Sequence, residues 1–149
     1  MHLEIPVLAK RNSGMTLTEV VMSLGVGGLI FGGVLTGYVQ SANQSEWTAY
    51  NLAGNSMAMQ HLELARAAKW DTQASPPVDN LVAARFPQTV EPLDVPLWGS
   101  TPVMATNTVT ISAISADPPL KMIEVQTVWS FRDRGLYTNL TATYRAPDQ

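Results

Sequence analysis

Lys10-Arg11-Asn12-Ser13-Gly14-Met15-Thr16-Leu17-Thr18-Glu19 opens directly onto a stretch that carries no charged side chain again until Glu46. About twenty helical residues, at roughly 1.5 Å rise each, cover a hydrocarbon core of about 30 Å, so residues 20–39 are long enough to span a bilayer. The polar leader ends at Gly14, before the apolar run begins. An ordinary secretory signal is cut after its apolar region, at a small-x-small site. A cut at Gly14 would instead leave the hydrophobic segment on the mature chain. Lys10 and Arg11 precede the span and the next Lys or Arg is Arg66, an asymmetry that keeps the leader in the cytoplasm and sends the bulk of the chain across.

Glu19 is the anomaly in this segment. An ionised carboxylate that reached the bilayer centre would cost about 2.5 to 3.5 kcal/mol on insertion scales, so something should offset it. One partner is a positive group, such as a freed amino terminus at Met15 of this or a neighbouring subunit. The other reading places Glu19 at headgroup level in a plain signal anchor, helped by the positive end of the helix dipole.

Gly14-Met15-Thr16-Leu17-Thr18-Glu19 after a Lys-Arg pair resembles the cleavage and methylation site of type IV prepilins and type II secretion pseudopilins. The resemblance implies that a membrane prepilin peptidase cuts after Gly14, that the same enzyme methylates the new amino terminus at Met15, and that Glu19 is the assembly carboxylate. Met15 departs from the phenylalanine usual at that position. The motif covers about ten residues, joined to the apolar run and the helical pattern beyond it. The partners it implies are the peptidase and methyltransferase, other pilin or pseudopilin subunits, an inner-membrane assembly platform and membrane lipid. It implies no cofactor.

Many major pilins carry a proline late in the apolar segment, where this chain has Thr36-Gly37. Glycine is dense in the span, and two small-xxx-small spacings result, Gly28 to Gly32 and Gly33 to Gly37, which would let another helix backbone approach closely. The glycines read either as a helix-packing surface in a filament core or as the ordinary enrichment of glycine in membrane helices.

Of 149 residues, a leader of fourteen and a span of about twenty-five leave roughly 110, near the usual size of one compact domain. A formal net charge of −3 offers no basic patch and no support for nucleic-acid binding. With no cysteine in the chain, the domain must be held by its core or by a partner rather than by a disulfide.

Trp47, Tyr50, Gly54, Met57, His61, Leu64 and Ala68 recur at spacings of three and four, which predicts one face of an amphipathic helix continuing the membrane segment to about residue 69. Asp71 and the prolines at 76 and 77 end it. Residues 71–102, punctuated by six prolines, read as a connection with at most a short strand near residues 88–91. Phe86, Leu93, Leu97 and Trp98 give that loop apolar side chains to dock, either for subunit-specific contacts or to cover the sheet edge. Val103, Ala105, Asn107, Val109, Ile111 and Ala113 then alternate as one strand face. After a turn at residues 115–119, Ile123, Val125, Thr127, Trp129 and Phe131 set a second inward row. Asp133-Arg134-Gly135 reads as a hairpin turn, and Leu136, Thr138, Leu140, Ala142 and Tyr144 return, giving three strands with one apolar face for the helix to cover. The expected fold is α+β and pilin-like, a long N-terminal helix on a small antiparallel sheet. Its parts are residues 1–14 (leader), 15–40 (span), 41–70 (amphipathic helix), 71–102 (variable loop) and 103–149 (sheet).

The sequence shows no nucleophile elbow, phosphate loop, metal-spaced cluster or calcium loop. His2 lies in the leader and His61 on the apolar helix face. The chain reads as a substrate of a peptidase and not as an enzyme: a prepilin-type subunit, closest to the minor pilin V and pseudopilin I group, held in the inner membrane with its C-terminal domain in the periplasm. The alternatives are a signal-anchored extracytoplasmic binding domain that never assembles, and a membrane-tethered enzyme with a deep polar pocket.

Overall fold

The computed structural model describes residues 14–95, 101–131 and 135–148. Lys10, Arg11, His2, Leu97, Trp98 and the Asp133-Arg134 part of the expected hairpin turn lie outside them. The fold is α+β: one long N-terminal helix, α1 (Leu17–Arg66), then short strands β1 (Trp70–Asp71) and β2 (Val78–Asp79), a single 3-10 turn at Ala83–Arg85, and strands β3 (Thr89–Pro92), β4 (Met104–Ala116), β5 (Pro119–Ser130) and β6 (Leu136–Arg145). The chain divides into two compact units, Met1–Ala42 and Asn43–Gln149, and α1 contributes to both.

In the first unit every described residue is exposed, and the helix is long and apolar enough to cross a membrane. A helix can do so because all its backbone groups bond within the segment. Thr36 follows the same logic, its hydroxyl donating to the Gly32 carbonyl at 2.8 Å.

In the second unit residues 43–66 of α1 pack on a four-stranded antiparallel sheet of order β3-β4-β5-β6. The expected row on α1 follows a spacing of 3.5, whereas a straight helix turns once in 3.6 residues and drifts about 20° per heptad. The buried positions accordingly slide from Gly54 and Met57 to Ala58, Leu62 and Ala65, and Leu64 ends up 57% exposed. The helix stops at Arg66, short of the expected end. There the chain tightens through an Ala68 N–H to Ala65 carbonyl bond of 3.2 Å, turning Trp70 into the core, where it pairs with Asp79. Ala58, Leu62, Ile123 and Val125 form one core cluster with Trp70 and Leu81. Burial of each large aliphatic side chain contributes about 1.5–3 kcal/mol.

The β4–β5 hairpin turns at Asp117-Pro118, so both strands run into the segment expected to be a longer turn, and a bulge between Ala113 and Ser115 leaves Ile114 unpaired. Ala105, Asn107 and Val109 point inward, while Ala113, near the bulge, is exposed. The β5 row of Ile123, Val125, Thr127, Trp129 and Phe131 is buried throughout. Its two polar neighbours satisfy each other, the Thr127 hydroxyl donating to Asn107 Oδ1 at 2.7 Å. Asn107 Nδ2 lies 3.2 Å from Met57 Sδ.

Strand β6 takes the opposite phase from its apolar pattern. Opposed residues share a face, and the register sets Tyr137 against Trp129, Asn139 against Thr127 and Thr141 against Val125. Tyr137, Asn139, Thr141, Thr143 and Arg145 therefore face the helix side, and Leu136, Thr138, Leu140, Ala142 and Tyr144 face out. The inward phase is held by a Tyr137–Trp129 stack with ring centroids 5.1 Å apart and by Asn139. The Asn139 Oδ1 accepts from Trp129 Nε1 at 2.7 Å while its Nδ2 donates to Asn51 Oδ1 at 2.7 Å.

The loop after α1 is more ordered than its prolines suggest. Asp71 Oδ1 accepts from the Gln73 and Ala74 amides. Lys121 ties the loop to the sheet, donating to Asp79 Oδ2 at 2.6 Å and to the Leu81 carbonyl at 2.8 Å with its ammonium 4.7 Å from the centre of the Trp70 ring. The C-terminus returns to the same place. The Asp148 carboxylate accepts from the Trp70 amide at 2.9 Å and from Arg145 at 2.6 Å, the Asp148 amide donates to the Trp70 carbonyl at 2.6 Å, and Arg145 also donates to the Ala68 carbonyl.

Candidate functional site

The residues singled out for processing lie at the start of α1. Gly14 and Met15 precede the helix and are exposed. Thr16 is the residue before the first helical position, and Glu19 sits in the first turn. The two close a reciprocal cap: the Glu19 amide donates to Thr16 Oγ1 at 3.3 Å, and Glu19 Oε2 accepts from the Thr16 amide at 3.3 Å and from its hydroxyl at 3.4 Å. This is a capping box, Ser/Thr followed three residues later by Glu, which satisfies two of the amides that a helix N-terminus leaves without partners. Within the isolated chain the Glu19 carboxylate thus has hydrogen-bond donors from Thr16. The Thr-x-x-Glu spacing was available in the sequence as a helix-start signal, and Thr16 is the residue that a reading centred on charge passes over.

Gly28, Gly32, Gly33 and Gly37 lie in the exposed helical segment. A Cβ built at any of them meets nothing within 4 Å, so no contact with the described residues requires glycine there. The second-unit glycine at position 54 is the opposite case. A Cβ there would lie 2.6 Å from Asn139 Oδ1 and 2.8 Å from Trp129 Nε1, so the helix approaches the sheet as closely as it does only because this residue has no side chain.

His61 is half-buried, with Nε2 3.5 Å from Glu91 Oε1 on β3. Next to the Gly54 crossing, Tyr50 stacks on Trp129 at 6.0 Å and meets Phe131 edge-on at 5.4 Å, while Trp47 meets Tyr137 edge-on at 6.1 Å. Sequence spacing put Trp47 and Tyr50 on the packed face. The amide link through Asn51 and Asn139 carried no sequence signal, because each asparagine sits among polar residues and only the sheet register brings them together.

The long apolar-to-amphipathic helix with a small antiparallel sheet is an architecture compatible with a pilin-like fold. The chain matches no family model, no curated protein and no solved structure at a significant level.

Proposed function

We propose that the chain is a prepilin-type structural subunit, a minor pilin or pseudopilin, assembled into or priming a type IV pilus or type II secretion pseudopilus. The observation that carries this reading is the Gly14-Met15-Thr16-Leu17-Thr18-Glu19 sequence placed at the first turn of a fifty-residue helix, uncharged over its membrane-length part. In this scheme Lys10 and Arg11 hold the leader in the cytoplasm and the peptidase cuts after Gly14. The new Met15 terminus is methylated, and Glu19 attracts the terminal amine of a neighbour. Helix contact then replaces lipid contact along the glycine-bearing span, and the periplasmic domain caps or primes a filament.

The capping box favours a second reading, an anchored extracytoplasmic domain that never assembles, because it gives Glu19 a role within its own chain. Intact mass and N-terminal sequencing of membrane-extracted protein, from cells with and without a prepilin peptidase, separate the two. Assembly requires a chain that begins at Met15 with one added methyl group, only when the peptidase is present. A chain that begins at Met1 in both cells overturns it. Once cleavage is seen, Glu19→Ala is expected to leave the cut intact and abolish incorporation into filaments.

A further inference from the structure

Four contacts give the second unit a direction. Trp47 meets Tyr137 edge-on, Asn51 bonds to Asn139, the Thr141 hydroxyl lies 3.5 Å from Met59 Sδ and Arg145 donates to the Ala68 carbonyl, so α1 and β6 run side by side in the same sense. The end of the sheet where β6 starts is therefore the end at which the chain enters the unit. There the register aligns Ala105, Trp129 and Tyr137 on the helix side. One residue further out, where side chains switch to the opposite face, it sets Leu136 against Ser130 and Met104 against Pro92.

This entry end is apolar where it is exposed. Leu136, at 76%, is the most exposed large apolar side chain among the described residues of the unit, and Met104 is 46% exposed. Pro92 and Pro102 beside them are exposed as well. Arg66, Lys69, Lys121 and Arg145 gather at the other end, where Arg66 closes α1 and Arg145 opposes Lys121. The charged residues described near the entry end, Glu46, Glu91 and Asp94, are acidic. Among the described residues this end therefore offers apolar side chains to a partner and no cation to an anionic one.

Chain connectivity supplies the partner. The apolar segment is long enough to cross a bilayer and is expected to end near residue 39, and the second unit begins at Asn43. The eight helical residues from there to Trp47 rise only about 12 Å, of which the headgroup layer takes about 5–8 Å. We infer that the entry end of the second unit docks on the lipid surface, with Leu136 and Met104 reaching the boundary between headgroups and acyl chains. Trp47 and Tyr137 stand behind them, and both ring types favour that boundary. The contact is one of apolar side chains with lipid of any headgroup charge. It rests on the span crossing a membrane, which both readings above share, and not on processing at Gly14.

The chain contains no cysteine, so an introduced one carries a single fluorescent label on the full-length protein in phosphatidylcholine vesicles, and nitroxide-bearing lipids report which labels touch lipid. Leu136→Cys and Met104→Cys should lose their fluorescence to a nitroxide just below the headgroups. Tyr144→Cys, about 26 Å further along β6, should keep its own. Leu29→Cys, in the span, should be quenched by a nitroxide deep in the acyl layer. Adding Leu136→Glu, which the fold tolerates because that side chain is exposed, should release the Met104→Cys label, since a carboxylate is costly in lipid. High salt should change nothing, because the contact has no charge pair to screen. Quenching at Leu29 without quenching at Leu136 overturns the docking and leaves the span standing, whereas no quenching at either position overturns both. Equal quenching at Tyr144 also overturns the docking, since it reports a unit with no preferred face on lipid, as does quenching that disappears at high salt, which reports a contact made by charge.

Discussion

At Gly54 a single missing methyl group sets the distance between helix and sheet. Gly54→Ala gains about 1 kcal/mol in helix propensity. It also forces a Cβ to within 2.6 Å of Asn139 Oδ1 and 2.8 Å of Trp129 Nε1, where overpacking costs about 1–3 kcal/mol and disturbance of the Trp129–Asn139–Asn51 bonds about 1–3 kcal/mol more. The net expectation is a loss of about 1–5 kcal/mol, read as a lower unfolding midpoint of the detergent-solubilised protein in urea. Gly32→Ala is the matched control. It meets nothing within 4 Å, so the same unfolding curve should hold its place or move toward stability by up to about 1 kcal/mol. Equal effects at the two positions would contradict the close approach. Asn139→Leu removes an acceptor from Trp129 and a partner from Asn51, and should cost about 1–3 kcal/mol. The apolar spacing put Gly54 on the packed face, but no local feature marked it as the point of closest approach. The difference arises only when the sheet register delivers Asn139 and Trp129 beneath it.

Among the elements, α1 and β5 were legible because their patterns coincide with their partners. The β5 row is apolar wherever it is buried, with Thr127 the one polar insertion, and its phase was plain. On α1 the 3.5-residue spacing of the aromatic and apolar positions located the correct face at Trp47 and Met57, then overshot to Leu64 as the 3.6-residue turn carried the face around. In β6 two phases competed, and the more apolar one lost because Tyr137 and Asn139 have partners that Leu136 and Leu140 lack. The clasp between β1 and the C-terminus was invisible for a related reason, since Asp148 lies 78 residues from the Trp70 amide that it binds. That amide, then Arg145, holds the Asp148 carboxyl below its ordinary value. A carboxyl depressed in the folded state contributes stability above its unfolded pKa of about 4, and this contribution is lost as pH falls through the lower folded value. Asp148→Asn is therefore expected to lower the thermal midpoint at pH 7, with the gap to the parent closing as the pH falls below about 4. A gap that stays constant into acid would assign the clasp to the neutral hydrogen bonds alone.

For the molecule as a whole, the charge asymmetry and the apolar segment together predict an orientation. In cells that lack the prepilin peptidase, external protease added to spheroplasts should digest the second unit while a tag placed before Lys10 stays protected until the membrane is opened. A digested tag with a protected second unit would reverse the topology. The protein should also resist alkaline extraction and enter solution only with detergent, since every described residue of the first unit is exposed and its apolar side chains have no cover among the described residues. The membrane-length helix itself was readable from composition and length, because such a segment needs no tertiary partner to be recognised. The sheet required long-range pairing, and only its strand positions could be read in advance. The stack of Trp129 between Tyr50 and Tyr137 also has an optical consequence. Tryptophan occurs only at positions 47, 70, 98 and 129, so the span is dark in tryptophan fluorescence. Rings held at fixed angles give a strong near-ultraviolet circular dichroism signal. The chain thus carries its own gauge of helix docking, which can be followed in a micelle or an intact membrane without attaching a dye.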